Sequence, residues 1–588
     1  MEEKQIDRKK AMRNVLTLLS GYKLKITLSL VFIFLSTLFN IFSPLLIGDA
    51  ITILFEGSAR AIQHTGTLDF ASLFNILIIL IVLYVLTSLF GYLGEYLLSD
   101  IVVNICFTLK ERLINKVTHL PMEDIDSNKK GDILSRITND VDTLESGMIG
   151  AFLEMFQSGI VIIGVLIVML AVNIWMTLAI LVLVPITFLL IRVLSNFSQK
   201  YFTNELAIKG AVNSQIEEVV TSHDIIRTFN YENSSIEHFK NNNSKWYDYE
   251  WKAQFFASLN NPAMSLISNA MEIIIAVLGS IFVLQGAMPV GRILTFFQYA
   301  GEFISPITEV TNIMPMVQMS LASCDRIFEF LELEDESNPG EKEITEFRDE
   351  ITFENISFSY VEGEKIIDDL SLTVKKGENI AIVGETGAGK TTLIKLLMRL
   401  YDLDSGEIKI DGVNINEYDK HSLRSMMGMV LQDSWLFSDT IENNIKYGKL
   451  DATEDEVLFA SENASTDSFI RQLPDGYKTK LNEDSDNISY GQKQLLTIAR
   501  TIISGKGILI LDEATSSVDT RTEKLIQKAA SRLMKNTTSF IIAHRLSTIR
   551  NADKIIVLGN GSIIEQGTHD ELIAQKGYYY NTLNYQNS

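Results

Sequence analysis

Two stretches of this 588-residue chain carry residue types suited to phosphate chemistry. Residues 384–391 read GETGAGKT, which satisfies G-x-x-x-x-G-K-[ST], with the apolar run ENIAIVG leading into it and TTLIKLLMRLY continuing from its last threonine. A strand entering a helix through a glycine-rich turn offers bare backbone N–H groups and a positive helix end to phosphate oxygens. Gly384, Glu385, Thr386, Gly387, Ala388, Gly389, Lys390, Thr391 and Thr392 form that expected cradle. Lys390 is expected to neutralise phosphate charge, and the Thr391 hydroxyl is placed for Mg²⁺. The second stretch, ILILDEATSSVD at 508–519, is an apolar strand ending in Asp512, the expected Mg²⁺ partner. Glu513 follows as a candidate general base that would orient and activate water. Transfer of a phosphoryl group asks a protein mainly for positioning and charge stabilisation, so these few groups suffice for ATP hydrolysis.

The remainder of the chain has to position them. At 588 residues more than one domain is expected, and 47% hydrophobic content beside 21% charged residues suggests a membrane part joined to a soluble part. A formal net charge of −22 argues against a nucleic-acid partner, which would want a basic face. Cys106 and Cys324 are the only cysteines and make no disulfide framework. The N-terminal MEEKQIDRKKAMRNVL reads as a helix on the membrane surface rather than a cleavable signal.

Six segments are long and apolar enough to cross about 30 Å of hydrocarbon. They lie near 25–50, 72–98, 150–172, 175–196, 260–285 and 291–320, and the last two carry Glu272, Glu302 and Glu309. Carboxylates at that depth are costly, so Glu272 and Glu302 are expected to face a cavity or a partner rather than lipid. Lys and Arg crowd 99–148 and 197–258 but spare the turns near 173 and 286. The positive-inside rule then puts the N-terminus, both long stretches and everything after 320 in the cytoplasm. Each stretch reads as two helices extended beyond the membrane and joined by a turn, near 120–131 and 220–231. The acidic run 331–347 marks a linker between a membrane domain, 1–330, and a soluble domain, 348–588, where strands alternate with helices as in a P-loop α/β fold.

Taken together, these motifs resemble those of ATP-binding cassette (ABC) transporters over essentially the whole chain. The resemblance implies an exporter half-transporter: an α-helical six-span domain with long cytoplasmic helices, fused to an α/β P-loop nucleotide-binding domain with a helical subdomain. It implies further residues as well. Tyr360 is similar to the aromatic residue that stacks on adenine, and Gln432 to the glutamine linking Mg²⁺ and the attacking water to the membrane domain. Asp519 resembles the D-loop aspartate and His544 the switch histidine that contacts the γ-phosphate. The two cytoplasmic turns are similar to coupling helices. The family signature, Leu-Ser-Gly-Gly-Gln, faces ATP held by the other subunit; here it reads Ile488-Ser489-Tyr490-Gly491-Gln492. Glycine permits unrestricted φ and close backbone approach to an anion, which Tyr490 is expected to obstruct. The resemblance thus extends to heterodimeric bacterial multidrug exporters, with this chain as the subunit bearing the catalytic glutamate and a second half-transporter as its partner. The implied activity is ATP-driven export of small amphipathic or hydrophobic molecules across the bacterial cytoplasmic membrane, with ATP and Mg²⁺ as cofactors. Lipid, peptide or haem as cargo, and a homodimer, stay open. The spans exclude a soluble P-loop ATPase, and Glu513 with His544 disfavours a gated channel that only binds nucleotide.

Overall fold

A computed structural model describes residues 8–64, 68–127, 130–361, 363–431, 434–482, 487–512, 519–535, 537–542 and 549–587. The chain divides into two units, one of Met1–Thr118 with Lys130–Leu333, the other of His119–Lys129 with Glu334–Ser588.

The first unit is helical. A short α1 (Arg8–Leu19) precedes long α2 (Lys23–Ile62) and α3 (Phe70–His119). A six-residue helix, α4 (Met122–Ser127), follows α3. Back in the first unit come α5 (Val141–Val172), a two-turn helix Ile174–Leu181, and α6 (Leu183–Thr221). Then come His223–Thr228, α7 (Glu232–Ser258), α8 (Asn260–Leu284) and α9 (Gly291–Leu331). Pro185 has no N–H to continue a helix, which accounts for the break at Val182 just before α6. Among the described residues five helical stretches are long and apolar enough to cross a membrane. The last expected span belongs to α9, which is 41 residues long but falls short on apolarity because Arg292, Glu302 and Glu309 lie along it.

Proline chemistry explains how α9 is fastened to α2. Pro44 lies inside α2 and leaves the Asn40 carbonyl without its helical donor; the Ser43 hydroxyl donates to that carbonyl at 3.0 Å instead. The neighbouring turn then accepts bonds from α9: Tyr299 donates to the Ile41 carbonyl at 2.6 Å and Thr295 to the Pro44 carbonyl at 3.0 Å. A Cβ on Gly291 would meet the Gly48 carbonyl oxygen at 1.7 Å, so the helices approach here at a distance only glycine allows. At the other end of α5 and α9, the buried Asp140 carboxylate accepts from Arg326 Nε at 2.9 Å and from Ser323 Oγ at 3.1 Å. A buried carboxylate persists only when it is paired and hydrogen-bonded in this way.

The second unit holds two sheets. One is antiparallel, ordered β2-β1-β4-β5, from β1 (Glu350–Val361), β2 (Glu364–Lys375), β4 (Ser405–Ile410) and β5 (Val413–Asn414). The other runs β10-β9-β3-β8-β7-β6. It uses β3 (Asn379–Gly384), β6 (Met427–Val430), β7 (Ile508–Asp512), β8 (Thr538–Ile542), β9 (Lys554–Gly559) and β10 (Ser562–Gly567). All its pairings are parallel except β9 with β10. Its central strands are buried apolar runs, as a sheet covered on both faces requires. Phe353 of β1 meets Phe540 of β8 edge-on at 6.4 Å between the two sheets. Leading into β1, Glu336 is clasped by Arg424 at 2.6 and 2.9 Å and by Lys420 at 3.1 Å.

Candidate functional site

The phosphate loop grows out of the sheet order. β3 and β7 flank β8, so the turn after β3 and the carboxylate ending β7 come from strands once removed along the same carboxyl edge. That edge is where open α/β sheets place their ligands. The turn delivers the chain into α10 (Lys390–Leu397), whose N-cap Gly389 has φ +97°. Gly387 has φ +88°, and two such left-handed residues bend the backbone around a concave row of N–H groups. A Cβ on Gly389 would meet Ile367 Cδ1 at 2.7 Å, so the loop has no room for a side chain there.

Lys390 is buried, and its ammonium donates to the Gly384 carbonyl at 2.9 Å and the Glu385 carbonyl at 2.8 Å. Desolvation lowers its pKa from the ordinary lysine value, and the charge of Asp512 opposes that shift. Glu385 points away from that interior; its Oε1 accepts from the Tyr578 phenol at 2.8 Å.

Tyr360, at the end of β1, is part exposed, and its hydroxyl lies 3.2 Å from Thr392 Oγ1 on α10. Its ring stands edge-on to Tyr401 at 5.1 Å, and the Lys395 ammonium sits 5.7 Å from the Tyr360 centroid and 5.3 Å from that of Tyr401. Neither Lys395 nor Tyr401 belongs to a sequence motif, so sequence reading misses both. Only the fold brings them to α4, where Asp126 Oδ2 accepts from Tyr401 Oη at 2.5 Å and from Lys395 Nζ at 3.1 Å. Burial, then the Asp126 bond, pushes the Tyr401 phenol above its ordinary pKa. The turn beyond α3 is thus locked to the aromatic corner beside the phosphate loop.

The signature segment starts α11 (Tyr490–Ser504). Ser489 is its N-cap: the Ser489 hydroxyl accepts from Gln492 N at 3.3 Å, while Ser489 N donates to Gln492 Oε1 at 2.8 Å. This reciprocal box satisfies two helix-start donors and fixes where the helix begins. Tyr490 occupies the first helical position, half-buried, and Gly491 is buried. Asp519 similarly caps α12 (Thr520–Leu533), accepting from Arg521 N and Thr522 N at 3.0 Å each. Hydrogen bonding to Thr522 holds the Asp519 carboxyl below the usual carboxylate range. Gln432, Glu513 and His544 lie outside the described residues.

A family model for the ABC transporter transmembrane region matches residues 26–307, and one described as ABC transporter matches 367–516. The fatty acid ABC transporter ATP-binding/permease protein of Mycobacterium bovis is 40% identical over 512 residues, covering 87% of this chain and 81% of that one. The chain belongs to the ABC transporter family. A Bacillus subtilis ATP-binding/permease protein named for multidrug export, YgaD, is 33% identical over 92% of this chain and 94% of its own. The ATP-dependent lipid A-core flippase of Legionella pneumophila is 32% identical over 87% of each chain. The molecule is accordingly an ABC exporter half-transporter, with a helical membrane domain and an ATP-hydrolysing domain on one chain. The helical unit and the two-sheet unit are the two parts that this family fuses.

The bracket from Asp126 to Tyr401 makes a measurable claim. Asp126→Ala and Tyr401→Phe each remove one side of a partly buried hydrogen bond, so each is expected to lower stability by about 1–3 kcal/mol. The double variant of this ABC protein is expected to cost less than the sum, leaving a coupling of about 1 kcal/mol in thermal unfolding. Strict additivity would show that the two groups do not interact.

Proposed function

We propose that this chain exports small amphipathic molecules across the bacterial cytoplasmic membrane as one half of a heterodimer with one consensus and one degenerate ATP site. The observation that carries the reading is Tyr490 at the first position of α11, where the family signature has glycine. The amides there are the groups that approach a phosphate held by the opposite subunit. A Cβ and a ring at that position hold the anion off or misdirect the amides. One lost charge-assisted hydrogen bond costs roughly 1.5–3 kcal/mol, or about ten- to a hundred-fold in rate when it acts in the transition state.

In this reading the chain contributes a full phosphate site to the pair. Amides of 384–392 and Lys390 hold the phosphates, Tyr360 stacks on adenine, Glu513 orients and deprotonates water, and His544 contacts the γ-phosphate. Mg²⁺ held by Thr391, Asp512 and Gln432 would supply charge neutralisation. Two such chains would give each other Tyr490. A partner with Leu-Ser-Gly-Gly-Gln instead completes the site at Lys390 and Glu513, and its own site, facing Tyr490, turns over slowly. ATP binding favours one orientation of the membrane helices only because nucleotide binds the two states unequally.

The cargo reading rests on α9. Gln298 Oε1 and Glu302 Oε2, one turn apart, are buried without a hydrogen-bond donor among the described residues. Unmatched acceptors at membrane depth are costly and mark a functional position. They favour a cargo with a donor, such as an amphipathic amine. The relatives named for fatty acid and lipid A-core favour a lipid instead, a second reading in which Glu302 would oppose an anionic headgroup. Glu272 is exposed on α8, open to a partner helix, cargo or lipid alike.

Two experiments test these readings. ATPase activity of the purified chain alone is expected to be at least ten-fold below that of the pair formed with a partner bearing Leu-Ser-Gly-Gly-Gln; equal activity would defeat the heterodimer. In membrane vesicles, Glu302→Gln is expected to cut export of cationic dyes several-fold and spare neutral ones. Equal loss of both would remove Glu302 from cargo selection.

A further inference from the structure

Glu385 brings a carboxylate into a loop shaped for anions. It stands between Gly384 and Thr386, and its own carbonyl lies 2.8 Å from the Lys390 ammonium, so its side chain branches from the wall of the phosphate cradle. A negative group there opposes the charge the loop is read to hold. Among the described residues no cation pairs with it, and its one side-chain donor is the Tyr578 phenol, 2.8 Å from Oε1. That bond, ahead of burial, raises the phenol above its ordinary pKa, so Tyr578 keeps its proton and its donor role at neutral pH.

Tyr578 is itself held from behind. It is the first residue of α13 (Tyr578–Asn587). The Glu565 carboxylate on β10 accepts from the Tyr578 amide and, at 3.0 Å, from the Tyr579 amide, which satisfies two donors that a helix start leaves open. A Cβ on Gly577 would meet Glu565 Oε1 at 2.0 Å, so a glycine just before the helix is what lets that carboxylate in. The next residue, Tyr579, is buried, and its hydroxyl lies 2.8 Å from His569 Nδ1. These anchors fix the helix start, and with it the place from which the Tyr578 phenol reaches the phosphate loop.

We propose that Tyr578 is a positioning residue for nucleotide binding: its phenol holds the Glu385 carboxylate on the outer side of the phosphate loop, clear of the ATP phosphates. This rests on the reading that residues 384–392 hold those phosphates. Without the phenol the carboxylate is free to swing toward them. Two like charges about 4 Å apart in water change an equilibrium constant roughly five-fold, and salt screens the effect.

Equilibrium binding of ATP with Mg²⁺ to the full-length chain tests this, with Lys390→Ala reporting on the loop itself. Tyr578→Phe keeps the ring and removes the bond. It is expected to weaken ATP binding about three- to five-fold at about 0.01 M salt. At about 1 M salt, where the Debye length is about 3 Å, the loss is expected to shrink below about two-fold. In a Glu385→Gln background the same change is expected to leave ATP affinity where Glu385→Gln alone puts it, because an amide has no charge to hold off. ATP affinity of Tyr578→Phe equal to that of the unaltered chain would overturn the proposal. So would an equal loss in both backgrounds, which would leave Tyr578 only a structural role. ATP binding undiminished in Lys390→Ala would instead overturn the reading of the loop, and the proposal with it.

Discussion

The constraint underlying this molecule is that a polyphosphate is best held by bare backbone amides at the start of a helix. Side chains alone cannot surround so dense a charge, so the chain must present peptide N–H groups without a Cβ in the way. At α10 this is achieved by two left-handed glycines, 387 and 389, and by an ammonium that binds the loop carbonyls from inside. At α11 the helix start is equally well built, with Ser489 and Gln492 capping each other, yet the first position carries Tyr490. One helix start thus presents left-handed glycines, while the other begins with a tyrosine. In the proposed pair, a partner whose signature keeps glycine at that position would make the two ATP sites unequal.

The same contrast explains what could be read from sequence. The strand–turn–helix at 384–392 was legible because each residue there answers a local demand: glycine for φ, lysine for charge, threonine for the helix start. Apolar runs gave the first five spans, since crossing hydrocarbon is a demand on composition. Part of α9 was harder to read, because Tyr299 and Thr295, which bond to the backbone of α2, and the charged Arg292, Glu302 and Glu309 dilute the apolar signal. The bracket of Lys395, Tyr401 and Asp126 could not be read at all. It joins residues about 270 positions apart, and none of the three is unusual in its own neighbourhood. Ser489 and Asp519 fall between these cases. Sequence resemblance gives them roles at an ATP interface, while their local bonds make them helix caps, and a cap is compatible with either role.

Within the membrane unit, polar atoms are either satisfied with care or left conspicuously open. Ser43 repairs the gap made by Pro44, and Asp140 is enclosed by Arg326 and Ser323. Gln298 Oε1 and Glu302 Oε2 on α9 are among the buried side-chain atoms of this unit with no hydrogen-bond partner, together with Thr37 Oγ1, Thr87 Oγ1 and Asn260 Oδ1.

Replacing the obstructing side chain tests the central claim most directly. Steady-state ATP hydrolysis by the purified chain without a partner should rise at least ten-fold in Tyr490→Gly, because each copy would then offer the other an unobstructed helix start. Unchanged or lower hydrolysis, with the protein still folded and binding ATP, would mean that the tyrosine does not limit the site and that the asymmetry has another origin.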